Sequence, residues 1–319
     1  PTNLLRRKWC CGLWGKFKNL MTKETLGFIG VGMIGTPMAG RLMDAGYGLV
    51  VYDIDPSRTK PFQDRGATVA DNPAHVADLV ETVLVSLPMP AIVKDVALGD
   101  KGLHQGKIIK TYVDLSTTGP VVAIEVAEGL ETHNITCIDC PVSGGMKGAN
   151  EGSLSLMVSG QKETADRLQP ILDVLGSYFF LGEAQGLGQT MKCSNNYVSA
   201  TIAMALAEVL TVGKLTGLDP AQMLDVMNAG AARSWASEIK FPKLIKEGSS
   251  ANMATKLLLK DVSLYMDQAE ALGMPALAGS VVKNYFTIGV LKGLGDEPST
   301  TMIKVMEEWA GIRVREKDG

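Results

Sequence analysis

The feature that most constrains this chain is a short apolar run that turns through three spaced glycines, Leu26-Gly27-Phe28-Ile29-Gly30-Val31-Gly32-Met33-Ile34-Gly35. The run reads as a buried strand, and G-x-G-x-x-G carries it into a helix. Gly30 permits the tight turn, Gly32 lets backbone approach an anion without an intervening Cβ, and Gly35 lets the helix lie against its strand. The first N–H groups of that helix, from Met33, Ile34 and Gly35 onward, lack intrahelical partners and face the same anion. Glycine spacing alone is a weak signal in a chain with 35 glycines. Its sequel is stronger: Leu49-Val50-Val51-Tyr52 ends in Asp53, about 20 residues on, where a carboxylate accepts hydrogen bonds from both hydroxyls of an adenosine ribose. The pair of signals marks a dinucleotide site and favours NAD, because a 2′-phosphate would meet the Asp53 carboxylate. Arg58 keeps NADP open as the alternative, since an arginine in the following loop reaches a 2′-phosphate. Without the glycines, Asp53-Ile54-Asp55-Pro56 would be an ordinary turn at a strand end.

After Asp53, helix-like segments alternate with short apolar runs at residues 82–87, 111–114 and 135–139. Alternation of this kind implies a parallel sheet covered by helices on both faces, with ligands beyond the carboxyl ends of the strands. The loops at 87–90, 115–120 and 141–145 are therefore the candidates. Near residue 186 the texture changes. Gly186-Leu187-Gly188-Gln189 opens a long helix to about residue 216, Gly217-Leu218 closes it, and Asp219-Pro220 caps and starts the next. Residues 257–272 and 298–309 read as two more helices. The expected fold is a doubly wound α/β domain over 22–185 and an all-α domain over 186–319, joined by the helix from about 187 to 216. Methionines of the second domain read as core filler.

At 319 residues, 46% hydrophobic and 20% charged with a net charge of −3, the chain can bury a core in each of two domains. It has no basic surplus for nucleic acid, and no uninterrupted apolar stretch of about 18 residues argues for a membrane span. A small soluble ligand and a cytoplasmic location are the expectation. Residues 1–20 differ from the rest, with five basic residues, no acid, Trp9, Trp14 and Cys10-Cys11. They suit an amphipathic arm, and better suit a tail or tag over 1–21 without fixed structure. The five cysteines form no framework, which fits a reducing compartment, and Cys137 and Cys140 point to opposite faces of an extended segment. His75, His104 and His133 sit at no ligand spacing, so no metal site is expected.

Oxidation of an alcohol needs a group that takes the hydroxyl proton and returns it in the reverse direction. Lys192 and Asn196 are four apart and share a helix face, with Gln189 close to it. A lysine is ordinarily a surface charge. This one lies among uncharged neighbours, Met191-Lys192-Cys193-Ser194-Asn195-Asn196, at the expected domain junction, where desolvation lowers its pKa. Asn196 would hold a substrate oxygen or orient the ammonium. Ser143-Gly144-Gly145 follows a strand-like run and offers a hydroxyl and adjacent N–H groups to an anion. In isolation it would be only a loop.

In these motifs the chain resembles the β-hydroxyacid dehydrogenase family, that of 3-hydroxyisobutyrate dehydrogenase and tartronate semialdehyde reductase. The resemblance runs from about residue 26 to 309. It rests on residues 27–39, Asp114-Leu115-Ser116-Thr117, Asp139-Cys140-Pro141-Val142-Ser143-Gly144-Gly145, Gly188-Gln189-Thr190-Met191-Lys192 with Asn195-Asn196, and Lys260-Asp261. It implies a Rossmann-type first domain and a C-terminal domain like that of 6-phosphogluconate dehydrogenase. It also implies Lys192 as acid/base, the substrate carboxylate on Ser143, Gly144 and Gly145, and Asn196 on the reacting oxygen. Leu87 and Pro88 would run along the cofactor, Thr117 would lie near the nicotinamide, and Lys260 would close over it from the helical domain. By spacing alone Lys260-Asp261 would be a solvated pair. Cys140 stands where the family usually has alanine. Asn195 replaces the histidine typical of phosphogluconate dehydrogenases, and Lys192 counts against imine reductases.

The implied function is NAD-dependent interconversion of a small 3-hydroxy acid and its semialdehyde. Imine reduction, oxidation of a β-hydroxy amino acid, and a catalytically silent NAD-binding interaction module are the alternatives on this fold. Trp235, Met146, Lys147 and Phe241 could shape the substrate pocket, and Lys147 could take a second anionic group, although a solvated loop lysine is the plainer reading. Apolar helices beyond the needs of one small domain suggest a homodimer or homotetramer.

Overall fold

A computed structural model describes residues 23–248 and 253–316; the basic segment at the N-terminus lies outside them. Among the described residues nine strands form one sheet: β1 (Thr25–Ile29), β2 (Gly48–Tyr52), β3 (Thr68–Val69), β4 (Thr82–Val85), β5 (Thr111–Asp114), β6 (Thr136–Asp139), β7 (Val142–Ser143), β8 (Leu154–Gly160) and β9 (Gly176–Gly182). The order β3-β2-β1-β4-β5-β6 is parallel throughout. Winding reverses between β1 and β4, the switch point where such sheets open a crevice. Past β6 the sheet departs from the expected parallel pattern. β8 runs antiparallel to both β6 and β7, and β9 then pairs parallel with β8. β9 shows alternating exposure along its length, as a half-covered strand does.

Helices cover both faces. Phe28 and Leu84 pack with Met38, Leu42, Leu168 and Leu172 on one side. Ile29 and Val83 pack with Val76, Val93, Val126 and Leu130 on the other. Cys137 and Cys140 belong to these opposite layers, as an extended segment requires.

Beyond Gly182 the described residues form helices, apart from one isolated bridge between Ala254 and Pro298. The connecting helix Leu187–Leu215 begins after Gly186 in a left-handed conformation and ends at Thr216 before another left-handed glycine, Gly217. The Asp219 carboxylate caps the next helix, Pro220–Ala229, by accepting from the N–H of Ala221 at 2.7 Å and of Gln222 at 3.4 Å. Residues read as a helix from 257 form Thr255–Ala271. Those read from 298 divide into a tight turn, Ser299–Met302, and the helix Ile303–Ala310. The helix Gly279–Gly289 carries no sequence signal that singled it out.

The helical core joins Ala200, Ala207 and Leu210 of the connecting helix to Phe241, Leu258, Val262, Phe286 and Ile303. Met204 and Met302 are part of it, and Met223, Met227 and Met266 pack against it, as filler residues do. By length and composition alone the connecting helix could also cross a bilayer. Its buried face, however, carries Gln189, Lys192 and Asn196, and these three side chains build the site.

Candidate active site

Parallel pairing brings the ends of β1, β4, β5 and β6 to one edge, and the connecting helix starts beside them. At the end of β1, Gly30 has φ +90°, and its N–H donates to the Tyr52 carbonyl at 2.9 Å. A Cβ there would stand 2.2 Å from the Ser86 carbonyl oxygen, and a Cβ on Gly35 would stand 1.8 Å from that of Gly30. Neither position admits a side chain. At Gly32 the nearest atom to a Cβ is only the tip of Arg58, Nη1, at 3.2 Å. The helix Gly35–Asp44 has no side chain capping its start at Ile34, which leaves its first N–H groups for an anion. Val31, Gly32, Met33, Thr36, Arg58 and Met146 line a depression of about 430 Å³ above this turn. These residues fit a dinucleotide pyrophosphate.

Asp53 lies just past β2, its Oδ1 accepting from the Asp55 N–H at 3.0 Å. Arg58 pairs with Asp55 at 3.3 Å, so the groups that favour NAD and those that could favour NADP stand side by side. Across the crevice, the Leu87 N–H donates to Ser116 Oγ at 2.9 Å. Lys260 Nζ donates to the carbonyls of Thr117 at 2.6 Å and Pro88 at 3.3 Å. Leu87, Pro88, Thr117 and Lys260 thus form one cluster between the two halves of the protein.

Two buried carboxylates organise the rim. Asp114 accepts from the Ser116 N–H at 2.9 Å and the Thr118 hydroxyl at 2.5 Å. Asp139 accepts from the Gly186 N–H at 2.6 Å and the Ser159 hydroxyl at 2.9 Å. Burial pushes both acids up to about 6 despite these hydrogen bonds. Gln189, fully buried, accepts from the N–H groups of Thr118 and Gly119 at 2.9 and 3.2 Å. It also donates to the Ser116 carbonyl at 3.0 Å and to Asp114 at 3.3 Å. The first turn of the connecting helix is therefore fixed to the loop after β5, and Lys192 follows on nearly the same face.

Lys192 is buried, and its Nζ donates to Asn196 Oδ1 at 3.2 Å. Asn196 Nδ2 donates to Asp261 Oδ2 at 2.6 Å, and Asp261 Oδ1 lies 3.0 Å from Lys260 Nζ. Asn195 Nδ2 donates to Asn196 Oδ1 at 3.1 Å and to Ser143 Oγ at 3.5 Å. Burial holds the Lys192 pKa below the usual lysine range, against the opposing pull of the Asp261 charge. Ser143, Lys192, Asn196 and Lys260 are thus joined in one polar chain. Gly144 and Gly145 follow Ser143 with φ +134° and +62°.

Trp235 stands apart from that chain, 57% exposed, at the start of a one-turn π-helical segment, Ala236–Lys240. Phe241, weighed above as a pocket residue, is buried in the helical core. Asp261 is 2% exposed, so the Lys260-Asp261 pair is not the solvated one its spacing suggested. Spacing gave no role to Asn195, to Asp261 or to Lys240. The first two sit beside recognised motif residues. Lys240 had no signal at all.

A glycine cradle at a switch point, with a buried lysine, amide and carboxylate between an α/β half and a helical half, defines a nicotinamide-dependent oxidoreductase. Known families agree with that class. The family described as the NAD-binding domain of 6-phosphogluconate dehydrogenase matches residues 25–184, and the one described as NAD-binding of NADP-dependent 3-hydroxyisobutyrate dehydrogenase matches 186–306. The chain belongs to the β-hydroxyacid dehydrogenase family. It is 32% identical to the mitochondrial 3-hydroxyisobutyrate dehydrogenase of Homo sapiens, over 91% of this chain and 89% of that protein. It is also 32% identical to the 2-(hydroxymethyl)glutarate dehydrogenase of Eubacterium barkeri, over 91% of this chain and 97% of that one. The solved structure of Mycobacterium tuberculosis 3-hydroxyisobutyrate dehydrogenase with L-serine superposes with a TM-score of 0.79 at 27% identity, covering 88% of this chain and 98% of its own.

Proposed function

We propose that this member of the family is an NAD-dependent dehydrogenase that interconverts a small 3-hydroxy acid and its semialdehyde, with Lys192 as the acid/base. The observation that carries this reading is the desolvated Lys192, hydrogen-bonded to Asn196 and linked through Asn195 to Ser143. The substrate carboxylate takes the Ser143 hydroxyl and the N–H groups of Gly144 and Gly145, neutral donors that suit an anion without an arginine. Asn196 meets the reacting oxygen. When bound, the nicotinamide supplies the hydride acceptor. Lys192 as the neutral amine takes the hydroxyl proton during oxidation, and as the ammonium it returns the proton during reduction. Burial favours the neutral form that oxidation needs. Asp261 orients Asn196, and Lys260 holds the loops of Pro88 and Thr117 against the helical half.

The names of the relatives support the substrate class, because 3-hydroxyisobutyrate and 2-(hydroxymethyl)glutarate share a hydroxymethyl group beside a carboxylate. Asp53 supports NAD, with Arg58 engaged by Asp55. The test is reduction of NAD⁺ and NADP⁺ with 3-hydroxyisobutyrate, glycerate, 4-hydroxybutyrate, serine and threonate, offered separately to native protein and Lys192→Ala. NAD⁺-linked turnover lost in the variant is the expected result. Silence across the panel and with 2-(hydroxymethyl)glutarate, with NADH still bound, would overturn the assignment.

A second copy of the chain is the proposed partner of the helical half. Val198, Ala205, Val209 and Val212 repeat at spacings of seven, four and three along the outer side of the connecting helix, and all four are exposed. Light scattering should find a dimer or tetramer. A particle of one chain's mass would refute it.

A further inference from the structure

Lys240 has a setting unlike that of the surface lysines. It ends the π-helical segment, which packs on the connecting helix, and its Nζ lies 4.9 Å from the centre of the Trp235 ring. In an α-helix residues five apart diverge by about 140°, whereas i to i+5 pairing brings them together, so the π turn stacks this cation on that indole. The segment is held in place by Ser237, whose hydroxyl donates to Asn228 Oδ1 at 2.6 Å. Its own acid, Glu238, is taken by Arg233 at 2.7 Å. Among the described residues Lys240 has no hydrogen-bond or ion-pair partner. Its side chain is half-buried, and the charged neighbour that acts on it is another cation, Lys192. Burial and that like charge hold Lys240 down to about 8, still mainly protonated at neutral pH. A partly desolvated ammonium is unfavourable without an anion, and an indole face compensates only in part. Lys147, by contrast, is an exposed residue near Ser143.

With the first carboxylate on neutral donors at Ser143 and the hydroxyl at Lys192, only the remaining substituent of the 3-hydroxy acid is left to be recognised. We propose that Lys240 binds a second anionic group on that substituent, so that the preferred substrate is a dianionic 3-hydroxy acid. Trp235 then acts as the platform that positions the ammonium. This inference rests on the dehydrogenase reading above, and it names the substrate class within it.

The test uses the full-length protein and two substrates that differ only in charge: 2-(hydroxymethyl)glutarate, and the same molecule with its remote carboxylate converted to a carboxamide. The native protein should favour the dianion in kcat/KM by about tenfold or more, the scale of one charge-assisted contact. That ratio should collapse in Lys240→Met and be retained in Lys240→Arg. A ratio near one in the native protein, or one that survives in Lys240→Met, overturns the proposal. Binding of glutarate and of glutaramate to the NADH-loaded protein, measured by calorimetry, provides a readout that needs no turnover. Glutarate should bind about tenfold more tightly, and only while Lys240 or Arg is present. Equal affinity overturns the role of Lys240 whatever the catalytic result. A preserved glutarate preference without turnover of any hydroxy acid overturns only the dehydrogenase reading.

Discussion

Replacing Lys192 by methionine should separate chemistry from stability. The substitution keeps the length of the side chain and removes the charge. It orphans no buried partner: Asn196 Oδ1 still accepts from Asn195 Nδ2 at 3.1 Å, and Asp261 keeps both Asn196 at 2.6 Å and Lys260 at 3.0 Å. Burial lowers the folded-state pKa of Lys192 below its ordinary 10.5. Below that folded value both states carry the ammonium, and the folded state bears the whole desolvation cost. The cost fades only as pH rises toward the unfolded value. Each unit of depression is worth about 1.4 kcal/mol, which methionine does not incur. The melting temperature should therefore match or exceed that of the native protein. Loss of the proton acceptor should lower kcat by about 10² to 10³, or about 2.7 to 4 kcal/mol of barrier. Calorimetric melting, NADH binding by fluorescence and steady-state oxidation of the hydroxy acid measure the three quantities. Retention of more than about a tenth of kcat would remove Lys192 from the chemistry. A melting point lower by more than about 3 °C would show that the ammonium is net stabilising and that the desolvation argument is wrong.

Asp261→Asn keeps a hydrogen-bond acceptor for Asn196 but removes the charge that raises the Lys192 pKa, so the rising limb of kcat/KM for oxidation should move to lower pH. A limb that stays or moves to higher pH would contradict this. Lys260→Met should move the same limb the other way, because the Lys260 charge lowers the Lys192 pKa, and NADH should bind more weakly once the Thr117 and Pro88 carbonyls lose their donor. Gln189→Ala leaves two buried N–H groups and a carbonyl unpaired, and should cost about 3 to 5 kcal/mol in urea unfolding; a loss under about 1 kcal/mol would mean that the loop after β5 rearranges to satisfy itself. Asp53→Ser should raise kcat/KM with NADP⁺ and lower it with NAD⁺, each by about tenfold, and an unchanged preference would take Asp53 out of cofactor selection.

Local physics made part of this protein legible. Gly30 and Gly35 are demanded by a positive φ and a close approach, and such demands leave a fixed spacing in the chain. Gln189, Lys192 and Asn196 share a face because α-helical periodicity puts them there, and the caps at Gly186, Gly217 and Asp219 mark the helix ends. What stayed hidden depends on partners distant in sequence. The antiparallel pairing of β8 with β6 and β7 joins segments whose local pattern does not state their direction. Gln189 meets residues more than 70 positions away, and Asp261 meets Asn196 from 65 positions away. Lys260-Asp261 read as a solvated pair because spacing reveals neighbours along a helix but not what covers them. Lys240 left no mark in the sequence, because its approach to Trp235 depends on an i to i+5 turn that local pattern does not announce.

The opposite shifts expected of Asp261→Asn and Lys260→Met follow from one structural fact: two adjacent residues of the helix Thr255–Ala271 do different work with opposite charges. Lys260 reaches the carbonyls of the cofactor-side loops, and Asp261 reaches the amide that holds Lys192. The same turn therefore sets how the helical half sits on the loops after β4 and β5 and what net charge the buried amine feels. Rigid-body displacement of that helix would weaken both contacts together, since neither partner lies on the helix itself. Proton affinity at Lys192 is in this way tied to the seating of that helix, through the Asp261 and Lys260 charges that act on the buried amine. A double variant of Lys260 and Asp261 should consequently show coupling beyond the sum of the single effects, because the two charges also pair with each other at 3.0 Å.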